Sequence, residues 1–385
     1  MGENVLDYLQ LKDLVELDNS VMNRHSRAEF LDILSYCSPV SIENSIRPDK
    51  ADLKWFKVRN FRISKMRLSL LQSDVFEVDT SQVQDVDLDI SGVVTDSDIN
   101  NLVSRGMILK TKILTIDHHE NQNAIVMNRL FNALANLKEL SISNYSDSSI
   151  VWLNETKVNI ASLDSLTLGG KYSSVLSRNI VCNKLKTLNV YFYRANDENE
   201  YKMWLADLGK QFPSLVDLNI SSPYNFSTNM DDCIVAIAKG CVHLRKLNLC
   251  DCNFTDVAVI AIAQHCIQLR KLQIDNTATA LTHLSLLALS ESKLIEELDI
   301  PMIPIPTSDI AVRCACALSR ISSFRWFTAV DAEGTLNSLE YMKSLQWFRV
   351  FTEQVPVESA LSGLSSVARH CPLFLLMQCY SNSSP

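Results

Sequence analysis

The sequence predicts an α/β solenoid, with parallel strands on its concave side and helices on its convex side, preceded by a small helical module. Three observations support this fold. An apolar phrase recurs about every 26 residues, leucine accounts for 51 of the 385 residues, and glycine and proline are scarce, at 9 and 10 residues. Scarce glycine and proline argue against a turn-rich all-β protein and against a glycine-rich phosphate-binding enzyme.

The recurring phrase reads apolar, two residues, leucine, one residue, apolar, as from Leu244 to Leu249. Its end alternates apolar and polar residues, which is the pattern of a short strand with one buried face. Copies of the phrase start at Val83, Thr111, Leu137, Leu163, Leu185, Leu215, Leu244, Leu269, Ile295, Ile321 and Leu345. A last partial copy at 371–377 gives about 11–12 repeats in all.

Helical patterns fill the stretches between the phrases. Apolar residues of 256–266 wrap one side of a helix. Either Thr255 or Asp256 can cap this helix by accepting a backbone N–H, and Thr95 with Asp96 repeats the same start in an earlier copy. One strand–loop–helix unit cannot bury both of its faces alone, so we expect successive copies to stack.

The segment from Cys241 through Leu249 and Cys252 to Cys266 resembles the cysteine-containing class of leucine-rich repeat. The resemblance is strongest over 230–275 and extends over roughly 80–378. In this interpretation Cys252 is a small apolar filler in the loop after the strand.

Residues 1–46 are predicted to form the helical module. Apolar residues at three- and four-residue spacing make this segment similar to the later part of an F-box, in a truncated or degenerate form. The resemblance implies docking on a Skp-type adaptor and, through it, on a cullin. The implied adaptor-binding residues are Val5, Leu6, Tyr8, Leu9, Leu11, Leu14 and Leu17. The alternative is a helical cap that shields the first repeat, and the two roles are compatible.

A charge reversal marks the segment that follows. Residues 47–67 hold eight basic and two acidic residues, whereas 74–98 hold eight acidic residues and no basic one. We interpret the two stretches as neighbouring faces that compensate each other, rather than as a basic patch for an acidic partner. Residues 47–80 are then a linker packed on the solenoid, the solenoid spans 81–378, and 379–385 form a disordered tail.

The outward positions of the strands are the predicted surface for a protein target. The candidate residues are Arg325, Phe327, Trp347, Arg349, Phe351, Lys246, Lys271 and Asp275. Neighbouring strands lie about 4.8 Å apart, so we expect Arg325 beside Arg349 and Phe327 beside Phe351. Aromatic residues with arginine are typical of interface hot spots, and arginine suits an acidic or phosphorylated peptide. The alternative is that 352–385 fold back and cover this patch.

Other classes of function are disfavoured. A net charge of −8 argues against binding to nucleic acid or anionic membranes. We find neither a secretory signal nor an apolar run long enough to cross a bilayer, so we expect a cytoplasmic or nuclear protein with reduced cysteines.

No nucleotide loop, kinase motif set or metalloprotease helix is present in the sequence. The pair His118-His119 would point to opposite faces of a strand, so its side chains would not converge on a metal ion. We therefore expect no catalysis, cofactor or metal.

The leading hypothesis is a substrate receptor of a Skp-cullin-F-box type ubiquitin ligase that holds an unidentified target on its repeats. The alternative is a leucine-rich-repeat scaffold or inhibitor without a ubiquitin-ligase link.

Overall fold

The computed structural model describes residues 40–41, 63–69, 83, 85–118, 122–144, 162–170, 182, 184–191, 198–221, 228–274, 281–300, 303, 308–327, 341–345, 347–351 and 376–380. The chain divides into two compact units. The first comprises Met1–Thr167 with Arg178–Cys182, and the second comprises Leu168–Ser177 with Asn183–Pro385.

The first unit contains a parallel sheet whose strands pair in sequence order from β1 to β5. Its strands are β1 Val40–Ser41, β2 Ile63–Ser69, β3 Asp85–Ile90, β4 Thr111–His118 and β5 Glu139–Asn144. Its helices are α1 Asp96–Ser104 and α2 Ala124–Ala133, with a short 3-10 helix at Ile108–Lys110. Strand β6, Ser165–Gly170, spans the boundary between the two units.

The second unit repeats the same strand–helix alternation, and β7 to β14 again pair in parallel and in sequence order. Its strands are β7 Thr187–Tyr191, β8 Asp217–Ser221, β9 Lys246–Cys250, β10 Lys271–Ile274, β11 Glu297–Ile300, β12 Ser323–Phe327, β13 Trp347–Phe351 and β14 Leu376–Tyr380. Its helices are α3 Glu198–Gln211, α4 Asp231–Gly240, α5 Asp256–His265, α6 His283–Ser290 and α7 Ser308–Ala317.

The core of each repeat is built from the apolar positions of the recurring phrase. Leu244, Leu247 and Leu249 are each at most 1% exposed, and α5 contributes the fully buried Val259 and Ile262 to the same repeat. Burial of alternate strand residues against a helix is the arrangement that the phrase predicts. The α/β repeat architecture is therefore confirmed within each unit.

Threonine side chains cap three of the described helices, α1, α5 and α6. Thr95 caps α1 in a capping box with Asp98, and Thr255 and Thr282 cap α5 and α6 through their hydroxyl oxygens. Of the two cap candidates named for α5, the structure selects Thr255, whereas Asp256 has a different role.

Aspartate side chains at the helix starts join successive repeats of the second unit. Asp231 accepts hydrogen bonds from the backbone N–H and hydroxyl of Thr255, at 2.8 and 2.7 Å. Asp256 accepts the equivalent bonds from Thr282, at 2.9 and 2.6 Å, and a further bond from the hydroxyl of Ser285. Each capping threonine is thus held by the preceding repeat.

These hydrogen bonds change the acidity of both aspartates. Burial alone would raise the pKa of Asp256, but bonds from Ser285 and Thr282 outweigh it, so the pKa lies below its usual value. Burial also tends to raise the pKa of Asp231, but hydrogen bonds, mainly from Thr255, lower it below its usual value. A carboxyl group with a lowered folded pKa adds stability above its unfolded pKa, about 4, and that stability is lost as the pH falls through the folded value.

We expect acid to weaken the second unit through these two groups. The thermal midpoint of the wild type should fall as the pH drops from about 5 to about 3. It should fall less steeply in the double variant Asp231→Asn, Asp256→Asn, because the titrating carboxyl groups are gone. Scanning calorimetry across this range checks the slope, with Asp309→Asn as an exposed control on α7. An unchanged slope in the double variant would contradict the assignment.

The ends of the repeat region differ from the prediction. Strand β2 lies within the predicted linker 47–80, and it pairs in parallel with β3, so this part of the linker packs on the repeats as a strand. Its register places Lys65 beside Asp85 and Arg67 beside Asp87, which supports the interpretation of compensating charges. Cys379 and Tyr380 belong to β14, so the tail predicted to start at residue 379 is wrong at these two positions. The predicted helical module lies outside the described residues, apart from the strand at Val40–Ser41.

Buried cysteines fill the repeat core as free thiols. Cys252 is fully buried, and its thiol donates to the carbonyl oxygen of Cys250 at 3.3 Å. Burial raises the pKa of Cys241 and of Cys266 to about 12, and that of Cys314 to about 11. Thiols with such pKa values are poor nucleophiles near neutral pH. The structural interpretation of these cysteines therefore accounts for their positions.

Candidate protein-binding face

The outward residues of β8 to β11 form rows across the sheet of the second unit. The first row consists of Asp217, Lys246, Lys271 and Glu297, which are register partners on four successive strands. Lys246 lies 3.6 Å from a carboxylate oxygen of Asp217, and Lys271 lies 2.8 Å from one of Glu297. Exposed ion pairs of this kind contribute little stability, but they fix the charge pattern of the surface.

A second row runs through Asn219, Asn248, Gln273 and Asp299. The amide nitrogen of Asn219 donates to the hydroxyl of Tyr191 at 3.0 Å. Burial is the main reason that the pKa of Tyr191 is raised, so this hydroxyl remains protonated and can also donate. The row therefore offers three neutral amide side chains, beside the Tyr191 hydroxyl, and ends at the carboxylate of Asp299.

The register continues into the strands that carry the arginine and aromatic candidates. Residue Asp299 of β11 pairs with Arg325, and Arg325 in turn pairs with Arg349. Phe327 pairs with Phe351, which pairs with Tyr380 of β14. The predicted neighbourhood of Arg325 with Arg349 and of Phe327 with Phe351 is thus confirmed for the strand backbones.

Of the other predicted site residues, three lie in described strands and the rest lie outside the described residues. Lys246 and Lys271 are engaged by carboxylates of neighbouring strands, so a target would compete with Asp217 and Glu297 for them. Trp347 is the register partner of Ser323 on β12. Asp275 lies outside the described residues, as do all the predicted adaptor-binding residues between Val5 and Leu17.

A basic residue precedes several strands of the second unit and was not among the predicted site residues. Lys186, Arg245 and Arg270 occupy this position in three repeats, at the amino-terminal edge of the sheet. The signal was present as a Leu-Arg-Lys-Leu motif that begins at Leu244 and again at Leu269. These residues were not predicted because they lie just outside the strand positions that alternate between core and surface.

Within the described part of the chain, no group of three or more histidine, cysteine, aspartate or glutamate side chains could hold a metal ion. None of the described helices is both long and apolar enough to cross a bilayer. The described residues of β8 to β11 form ordered rows across a parallel sheet, and the strand register continues these rows into β12 and β13. This arrangement defines the class as an α/β repeat protein.

Among solved structures, this chain is similar to one chain in the crystal structure of the Rad7 and Elc1 complex of yeast, with a TM-score of 0.51 and 11% sequence identity. The match covers 99% of this chain and 89% of that chain. No family model and no curated protein matches the sequence. At this identity the likeness is one of fold, and it agrees with the repeated strand and helix pattern. The fold is a leucine-rich-repeat solenoid.

Proposed function

We propose that this protein is a substrate receptor of a Skp-cullin-F-box type ubiquitin ligase. In this proposal residues 1–46 bind a Skp-type adaptor, which links the chain to a cullin, and the repeats hold a target protein in the cytoplasm or nucleus. The chain itself performs no catalysis. The main support for the proposal is the fold similarity to one chain of the Rad7 and Elc1 complex. That complex joins two different proteins, and we propose that this chain likewise associates with an adaptor. The similarity of 5–21 to an F-box supplies the link to ubiquitin.

The proposed target surface combines the arginine and aromatic residues of β12 and β13. Register places Arg325 beside Arg349, and two like charges at neighbouring positions repel each other unless an anion lies between them. A phosphorylated or acidic segment of the target would supply that anion through bidentate hydrogen bonds. Phe327, Trp347 and Phe351 would supply the apolar contact area that hot spots require.

The adaptor test uses full-length protein and purified Skp-type adaptor. We expect the double variant Leu9→Asp, Leu14→Asp to weaken adaptor binding at least about tenfold, because charged groups would replace the apolar contacts. The matched control is Leu109→Asp, the same chemical change at a position that is 58% exposed. Binding is measured by pull-down and by interferometry, after circular dichroism has shown that all variants are folded. Equal binding by both variants would contradict the proposed interface.

The target surface has its own test. We expect the double variant Trp347→Ala, Arg349→Ala to lose capture of the target while its thermal midpoint stays nearly unchanged. Quantitative mass spectrometry of affinity-purified complexes measures the loss, with Tyr341→Ala, Lys343→Ala as an exposed control in the preceding loop. A large fall in the midpoint would instead show that these residues are covered by the C-terminal segment.

If the protein fails to bind the adaptor but still captures a target, the alternative function, a scaffold or inhibitor without a ubiquitin-ligase link, replaces the proposed one.

A further inference from the structure

An open groove runs along the amino-terminal ends of β7 to β11 in the second unit. Its floor is a backbone ladder in which one carbonyl oxygen of each strand accepts hydrogen bonds from two successive N–H groups of the next strand. The N–H of Arg245 donates to the carbonyl of Val216 at 2.7 Å, that of Arg270 to the carbonyl of Arg245 at 2.8 Å, and that of Glu296 to the carbonyl of Arg270 at 2.8 Å. The side chains of these residues therefore start from fixed positions on successive strands.

The charges along the groove are mostly basic. Lysine and arginine contribute five cations, and three carboxylates oppose them. Ion pairs join Arg270 to Glu296 at 2.6 Å, Lys271 to Glu297 at 2.8 Å, and Lys246 to Asp217 at 3.6 Å. The groove thus carries an excess of two positive charges, although the whole chain has a net charge of −8.

Arg245 lies between these pairs and differs from them. It is exposed, and within the described part of the chain its guanidinium group has neither an ion pair nor a side-chain hydrogen bond. An arginine in this position offers a planar donor fork that fits a carboxylate in bidentate fashion. The adjacent pair of Arg270 and Glu296 is half-exposed, so an incoming carboxylate can replace Glu296 at Arg270.

We propose that this groove binds an extended acidic peptide segment of a partner protein, with a carboxylate of the segment on Arg245. The five strands span about 19 Å at about 4.8 Å per step, which an extended peptide of about six residues covers. Acidic residues of the segment lie over Lys186, Arg245 and Arg270, and a neutral or basic residue lies over Glu296. A nucleic acid fits less well, because its continuous phosphates would meet the three carboxylates of the groove and the acidic chain.

The probe for this site is fluorescein-labelled hexaglutamate, and binding to the full-length protein is followed by fluorescence anisotropy. We expect saturable binding that weakens when salt is raised to about 0.5 M, because exposed charges are then screened. Neutral hexaglutamine should not bind. Arg245→Glu should weaken hexaglutamate binding at least about tenfold. Lys239→Glu is the matched control, since it makes the same charge change at an exposed position on α4 of the same unit, and its binding should be within twofold of wild type.

Several outcomes would overturn the proposal. They are equal binding of hexaglutamate and hexaglutamine, equal weakening by Arg245→Glu and Lys239→Glu, or tighter binding of a six-nucleotide single strand than of hexaglutamate. Arg245→Gln, which removes the cation without adding a carboxylate, keeps the test decisive if the charge reversal unfolds the protein. The experiment uses neither the adaptor nor residues of β12 and β13, so its failure leaves the proposed ubiquitin-ligase function untouched.

Discussion

Replacing Phe254 with alanine is expected to lower the free energy of unfolding by about 3–5 kcal/mol. Phe254 is fully buried and is among the largest side chains without solvent exposure. It enters the core from the loop between β9 and α5, directly after Asn253, whose carbonyl oxygen accepts a 2.8 Å hydrogen bond from the N–H of Met230. The loop is anchored to the preceding repeat, so it cannot collapse freely into the space that the ring leaves.

Urea denaturation followed by circular dichroism measures this change. The control is Val257→Ala, three residues away, because Val257 is 57% exposed and its truncation should cost no more than about 0.5 kcal/mol. If both variants unfolded at the same urea concentration, the packing assigned to this loop would be incorrect.

The second large effect is expected at two glycines that face each other. Gly209 lies in α3 and Gly240 ends α4, and a Cβ atom on Gly240 would lie 2.6 Å from the Cα atom of Gly209. A Cβ atom on Gly209 would lie 2.7 Å from the Cα atom of Gly240. Because both obstacles are backbone atoms, the two helices must separate to admit a methyl group. Only glycine permits this close approach.

We expect Gly240→Ala to destabilise the second unit by about 1–3 kcal/mol, the usual range for overpacking. Alanine favours a helix over glycine by about 1 kcal/mol, and this gain offsets only part of the cost. The exposed neighbour Lys239→Ala is the control, since it adds no atom between the helices. Thermal and urea unfolding measure whether the free energy of unfolding falls or rises in Gly240→Ala. A stabilised variant would show that α3 and α4 do not approach as closely as described.

Much of the fold could be predicted because the sequence repeats one pattern. Leu244, Leu247 and Leu249 mark a buried strand face by alternation alone, and Thr255 marks a helix start by its chemistry. Strand β2 was expected only as part of a linker packed on the repeats, because the recurring phrase starts no earlier than Val83. Its pairing with β3, which puts Lys65 and Arg67 in register with Asp85 and Asp87, is seen only in the structure.

Contacts between repeats could not be read from the same pattern. Asp256 and Thr282 are 26 residues apart, and Gly209 and Gly240 are further apart still. Periodicity predicts which elements form, but not which side chains meet when the elements stack. For the same reason the rows of the candidate face were predicted, while the ion pairs that engage Lys246 and Lys271 were not.

The central claim is that this chain joins an adaptor to a target, and titration of full-length protein with purified Skp-type adaptor tests it most directly. Calorimetry should give a one-to-one complex with a dissociation constant of about 1 μM or tighter, and size-exclusion chromatography should show the two proteins eluting together. The proposed receptor function would be contradicted if a protein with an intact thermal transition gave no heat of binding and eluted apart from the adaptor.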